Sequence, residues 1–355
     1  MNGKTTITGR YEVCNKTENT TEKNLILYPQ VLTDFYNSMF EKTAKTKQTY
    51  VYQIQCMLKA YAKSTGNSTR KINISQIDNK FLNAYFTHRR RELVNGKPVS
   101  NDIIAVQVTA IRNFFAYCIE QGLVSKNPMD GIKRPPIHKG NKQITYLEYD
   151  EIEKVLENIE NGTGNIENRK YKNTIYQKKW KNRDLCLIAI SLFTGIRVGS
   201  LVEINIQNID FENQILYIIQ KGNKEMQIYL PDNLMQYIHR WVKDREELLK
   251  KTDEKIDALF ITQHKGRYNR MSEKTVGYML KKNTSNLNKH ITPHKLRHTF
   301  GTHIYQETGD IYLVANLLGH ANIQTTTIYA HQDKRKAKEA VDLFSERISE
   351  SKNNP

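Results

Sequence analysis

The stretch TPHKLRH, residues 292–298, decides how this chain is read. Thr292 suits an N-cap, because its hydroxyl can accept from a free amide of the first turn. Pro293 suits the first helical position, where its missing N–H is not needed. Together they predict a helix over 293–306. His294 and Arg297 then stand one turn apart on one face, and the positive end of the helix adds to their attraction for phosphate oxygens. Taken alone, the stretch also reads as a solvent-facing basic helix, so its neighbours have to decide.

Upstream, TGIR at 194–197 follows an apolar run over 183–193 that predicts a buried helix. Gly195 fits a left-handed helix end, which would present Arg197 from a rigid corner. An arginine offers a planar fork of donors for two phosphate oxygens, which lysine cannot match. Between these motifs, QILYIIQ (214–220) and MQIYL (226–230) are β-rich runs joined by KGNK, a hairpin by its turn chemistry, with Lys221 at its edge. Downstream, LLGH ends at His320, and Tyr329 follows nine residues later within TTTIYAH (325–331). One tyrosine among 20 ordinarily packs or sits at the surface, and a lone histidine ordinarily belongs to a core. The set is more telling than its members: two guanidinium groups for a phosphate, three proton carriers in Lys221, His294 and His320, and a phenol nucleophile.

Working outward, the periodicity predicts further helices at 147–158, 232–250, 272–282, 311–318 and 334–350, and hence a mainly helical second domain with a small antiparallel sheet. The polar stretch from Asn161 to Lys179 reads as an exposed insertion. Before it, IKRPPIHKGN (132–141) holds two prolines and no periodicity, so residues 132–142 read as a basic interdomain linker carrying Lys133 and Arg134. Tyr50, Ile54, Met57, Leu58 and Tyr61 fall on one helix face. A second helix, at about 74–93, ends in the basic run Arg89, Arg90 and Arg91. A third carries Val108, Ile111, Phe115 and Cys118 and stops at Gly122. Residues 25–131 therefore form an all-helical domain. Residues 1–24, rich in Thr, Asn, Lys and Glu, read as a flexible arm, and residues 143–355 as the domain that holds the chemistry.

The chain of 355 residues suits about two domains. Its net charge of +17, with a pI near 9.5 and a mean hydropathy of −0.66, points to a polyanionic partner, nucleic acid first and an anionic membrane surface second. Residues 1–140 hold 21 Lys and Arg against 10 Asp and Glu, and the remainder 33 against 27. No run of about 18 apolar residues is present to span a bilayer, and the first 21 residues lack the apolar centre of a signal peptide, so a cytoplasmic protein with no membrane partner is expected. Cys14, Cys56, Cys118 and Cys186 lie far apart without a CxxC pair, which suggests reduced thiols, mostly core, and no zinc site.

TGIR, HKLRH, LLGH and the tyrosine nine residues on resemble, in order and spacing, the tyrosine recombinase family, also called phage integrases, of the simple Xer-like or mobile-element type. The stretch 105–135 resembles that family's last core-binding helix and its NP-containing exit to the linker. The resemblance implies a SAM-like helical core-binding domain and an α+β catalytic domain. Arg197 and Arg297 would hold the scissile phosphate, Tyr329 would attack it, His294 would take the phenol proton, Lys221 would protonate the leaving 5′-oxygen, and His320 would bond to phosphate. No cofactor, ATP or metal is implied. One position departs from the family: the usual acid three residues after the first arginine is Ser200 here, and Glu203 is a substitute by guess.

The same resemblance implies double-stranded DNA with a specific core site, a homotetramer on two duplexes, and an accessory DNA-bending or directionality protein. Ala337, Ala340, Val341, Phe344 and Ile348 form an apolar stripe that would dock on a neighbouring subunit or on its own domain. Arg89, Arg90, Arg91, Lys133 and Arg134 are the candidate DNA contacts. The arm before Tyr50 reads as too short for a further arm-site DNA-binding domain, and the segment 161–179 favours a mobile element's recombinase. Three alternatives stand beside it: resolution of replicon dimers, a catalytically weak DNA-binding accessory protein, and a type IB topoisomerase.

Overall fold

The computed structural model describes residues 9–94, 96–136, 145–162, 174–220, 224–252, 254–320 and 322–330. The chain divides into two units: residues 11–140, and residues 141–355 together with 1–10.

The first unit is built from helices α1 (Arg10–Leu25), α2 (Gln30–Ser38), α3 (Ala44–Thr65), α4 (Asn79–Arg91) and α5 (Asn101–Glu120). Short polar side chains start most of them by accepting an otherwise unpaired amide. Thr43 accepts from Thr46, Asp78 from Phe81 and Ser100 from Ile103. Gly66 ends α3 in the left-handed conformation. The apolar faces meet in one core that includes Leu32, Phe35, Ile54, Leu58, Leu82, Phe114 and Phe115. Each such side chain, fully buried, contributes about 1.5–3 kcal/mol. α5 has the length and mean hydropathy of a membrane-crossing helix. Its Ile104, Val108, Ile111 and Phe115 are buried inside this unit, which is the setting of a core helix.

Two expectations are corrected in this unit. The flexible arm over residues 1–24 is, from Arg10 onward, helix α1, which buries Thr21 and Leu25. Its polar composition hid a helix that needs only one turn of buried contact at its C-terminal end. The domain also holds a minimal hairpin, β1 (Leu93–Val94) paired antiparallel to β2 (Lys97–Pro98), so it is not wholly helical.

The second unit is organised around α7 (Thr174–Thr194), with α6 (Tyr149–Asn161) before it. Leu185 to Ile190 are all buried, so this stretch of the helix is apolar on every side, as a segment enclosed by other elements must be. The exposed insertion expected over 161–179 is shorter than that: α6 runs to Asn161 and the first turns of α7 begin at Thr174. Lys179 is no free surface cation either, since its Nζ donates to Gln263 Oε1 and Tyr268 Oη. Further helices are α8 (Val198–Glu203), α9 (Asp232–Lys250), α10 (Glu273–Asn283), α11 (Pro293–Thr308), α12 (Ile311–Leu318) and α13 (Thr327–Ala330). α7 packs against α6, α9 and α11.

β3 (Ile209–Asp210), β4 (Ile215–Gln220) and β5 (Lys224–Tyr229) form an antiparallel sheet with β4 in the middle, and Gln220 pairs with Lys224 where the turn begins. A second hairpin, β6 (Ile261–His264) and β7 (Arg267–Arg270), was not anticipated. Its turn residues Lys265 and Gly266 both have positive φ, the geometry a tight two-residue hairpin demands. The expected helix over 334–350 and the apolar stripe on it lie outside the described residues. Cys118 and Cys186 are buried, while Cys14 and Cys56 are only partly so.

Candidate active site

α11 begins where the sequence places it. Thr292 occupies the N-cap position and its carbonyl accepts from Lys295 and Leu296, though its hydroxyl makes no capping bond. Leu296 points into the main core, which turns Arg297 inward with it. Arg297 is 6% exposed, and its fork is tied to the backbone: Nη1 donates to Gly195 O at 2.7 Å and Nη2 to Leu318 O at 2.6 Å. One side chain thus fastens the TGIR corner to the end of α12.

Gly195 ends α7 at φ +58, and a Cβ there would come within 2.5 Å of Phe300 and 2.7 Å of Leu318. Both conformation and space therefore require glycine. Two residues on, Arg197 caps α8 in extended backbone, and its Nη1 donates to Gln220 Oε1 at 2.9 Å. Burial lowers the basicity of both arginines. For Arg297 the nearby Arg197 adds to that, bringing it down to about 10. Among the described residues no carboxylate pairs with either. A buried guanidinium with a half-buried one near it and no acid partner is a costly arrangement unless an anion completes it.

Tyr329 is 2% exposed and lies in a small apolar cluster with Val314 and Leu318, apart from the main core. Its ring lies so close to α11 that a Cβ on Gly301 would come within 2.6 Å of it. Burial pushes the phenol up to about 12, against the pull of Arg297 and Arg197. The phenol oxygen is 3.1 Å from His298 Nδ1. Burial first, then the charges of His294, Arg297 and Lys295, lowers the basicity of His298 and keeps it a neutral imidazole near pH 7. His320, in the turn after α12, sits 2.7 Å through Nδ1 from Thr326 Oγ1. Burial and the two arginines bring it down to about 4.

Of the six residues singled out in the sequence, Arg197, Arg297, His320 and Tyr329 are thus electrostatic neighbours. His294 is exposed on the first turn of α11, and Lys221 lies outside the described residues. Two residues were missed. His298 stands one turn after His294, and its signal was the second histidine of HKLRH. Gln220 gave no signal, because a glutamine ending a strand is unremarkable until its partner is known. Ser200 does not reach Arg197; its Oγ is 3.5 Å from Ile219 O. Glu203 keeps company with Arg10 and Arg270, and burial raises it to about 7.

The candidate DNA contacts divide. Arg89 turns inward, donating to Gln107 Oε1 and pairing with Glu92, because buried Gln107 anchors a polar network with Tyr85 and Gln53. Arg90, Arg91, Lys133 and Arg134 are exposed.

Comparison with known proteins gives the same outline. A model described as Phage integrase family matches residues 145–336, and one described as Phage integrase SAM-like domain matches residues 31–134. Tyrosine recombinase XerC of Caldanaerobacter subterraneus subsp. tengcongensis is 30% identical over 336 residues, covering 89% of this chain and 86% of the relative. Tyrosine recombinase XerC of Alcanivorax borkumensis is 32% identical over 236 residues, or 66% of this chain and 70% of that protein. Among solved structures, XerH site-specific recombinase in a post-cleavage complex with palindromic difH substrate has a TM-score of 0.60 at 22% identity, covering 88% of this chain and 84% of that one. That likeness is one of fold.

Proposed function

Because the chain belongs to the phage integrase family and is a tyrosine site-specific recombinase, we propose that it cuts and rejoins double-stranded DNA through Tyr329. The observation that carries this reading is the buried Arg297 with the half-buried Arg197 near it, neither paired with a carboxylate among the described residues, beside a buried phenol. A phosphodiester supplies the missing anion, and the guanidinium donors stabilise the extra charge that builds on its oxygens as phosphorus is attacked.

The Tyr329 oxygen bonds to phosphorus, the bond to the 5′-oxygen breaks, and that oxygen takes a proton from Lys221. The product is a 3′-phosphotyrosyl bond and a free 5′-hydroxyl. A 5′-hydroxyl of a partner duplex reverses the step on the new strand. A phenol at about 12 needs a base. His298, at 3.1 Å, holds the hydroxyl where the sequence reading gave that place to His294. His294 is left to the phosphate at the start of α11, and His320, near both arginines, bonds to the phosphate as well.

Arg90, Arg91, Lys133 and Arg134 supply charge for the DNA backbone, and a homotetramer on two duplexes with an accessory directionality protein completes the assembly. For the biological role we read integration and excision of a mobile element, in the cytoplasm. The XerC relative that spans 89% of this chain favours a second reading, resolution of replicon dimers. The test is covalent trapping on labelled DNA that flanks the gene, in EDTA, with the wild type and Tyr329→Phe. A denaturation-resistant adduct that needs Tyr329 supports the mechanism. Adduct on a flanking fragment favours the mobile element, and adduct confined to a replicon's resolution site favours the second role. DNA binding without adduct on any fragment leaves a binding protein.

A further inference from the structure

Gln220 is 8% exposed, yet its carboxamide is set among three of the motifs. Its Oε1 accepts from Arg197 Nη1 at 2.9 Å. A guanidinium only donates, so the oxygen must face Arg197 and the amide nitrogen points to Met226 Sδ. Gly319, the glycine just before His320, is 2.3 Å from this carboxamide when given a Cβ, so the LLGH turn is cut to fit it. The backbone carbonyl of Gln220 accepts from Arg10 Nη1 at 3.1 Å, which fixes the residue at its other end. The next residue in the chain is Lys221. Among the described residues no other side chain accepts from the Arg197 guanidinium, and Ser200, where the family usually carries an acid, bonds instead to the carbonyl of Ile219, the residue before Gln220.

We propose that Gln220 is the positioning residue of Arg197, holding its guanidinium toward the phosphate in the place of the acid that Ser200 lacks. A neutral acceptor suits this site physically. It orients the fork through one Nη and leaves the other donors free, and it adds no negative charge beside the phosphate that the two arginines must bind. A carboxylate would hold Arg197 more strongly but would cancel part of that positive field.

The proposal rests on the recombinase reading above, and its test separates the two. On a DNA fragment that gives adduct with the wild type, the full chain is compared with Gln220→Met, which keeps the length without the oxygen, and Gln220→Glu, which keeps an acceptor. Each is also made over Arg197→Lys. Gln220→Met is expected to slow adduct formation at saturating DNA by about tenfold to a hundredfold, the scale of a misplaced catalytic group, with DNA affinity unchanged. Gln220→Glu is expected to recover most of that loss. Over Arg197→Lys the same Met substitution is expected to cost under about twofold, because coupled positions are not additive. Should Gln220→Met not fold, Gln220→Asn, which draws the carboxamide back by one methylene, carries the comparison. Wild-type rates in Gln220→Met, equal loss in Gln220→Glu, or full loss over Arg197→Lys would each overturn the proposal. Absence of adduct from the wild type fails the recombinase reading instead.

Discussion

Arg297 in the second unit and Arg90 in the first carry the same group in opposite settings. Arg297 is almost wholly enclosed, with both Nη atoms bound to backbone carbonyls of two separate turns. Arg90 stands exposed at the end of α4. The first is a charge with an address, held whether or not an anion is present. The second is a charge without one, which attracts any phosphate within about 8–10 Å at ordinary salt and is screened beyond that distance. The contrast teaches that a basic protein divides its positive charge between geometry and attraction, and only the enclosed part can select one phosphate for attack.

The division can be broken at its chemical end first. Tyr329→Phe should abolish the covalent adduct while gel-shift affinity stays near that of the wild type; an adduct surviving in this variant would move the nucleophile elsewhere. Next, Arg297→Ala should cost stability as well as chemistry. It strips partners from Gly195 O and Leu318 O, at about 1–3 kcal/mol for each buried group left unmade, so urea unfolding should shift far more than it does for Arg197→Ala. Equal stability of the two variants would show that the carbonyl bonds of Arg297 carry little weight.

A smaller effect comes with pH. His320 in the folded chain is depressed to about 4, from an ordinary value of 6.5. The unfolded chain therefore binds the extra proton between those values, and stability is full above about 6.5 and falls as pH drops toward 4. The melting temperature should decline across that window, and less so in His320→Gln, where no titrating ring remains. The smallest effect belongs to the exposed cations. Arg90→Ala and Arg91→Ala together should weaken binding alike on specific and unrelated DNA, and lower the slope of log affinity against log salt by about 1 for each phosphate no longer neutralised. A sequence-selective loss would instead give these residues a share in base recognition.

Much of this was legible because local chemistry and tertiary role coincide. The pair Thr292 and Pro293 starts α11 where it should, Gly195 and Gly319 close their helices in the left-handed conformation, and Asp232 to Lys250 is helical from end to end. What the sequence concealed was contact between distant positions. His298 and Gln220 matter only through partners 31 and 23 residues away, and no spacing rule joins them. Arg89 looked like its neighbours Arg90 and Arg91 until buried Gln107 claimed it. Helix α1 escaped notice because its Thr and Asn side chains bond back to their own helix, as Thr17, Thr20 and Asn24 do, so polarity passed for disorder.

Gly9 donates its amide to Glu203 O at 2.6 Å, and Arg10 reaches Gln220 O, while residues 11–140 make up the other unit. On the ribosome those two residues emerge long before their partners exist. At roughly 5–20 residues per second, Gly9 waits on the order of 10–40 s for Glu203 to be made. The helical unit can fold within that interval, since its core is drawn from its own residues. The strand end that carries Gln220 then closes onto a segment made 210 residues earlier, so the corner beside Arg197 is braced from far upstream in the chain.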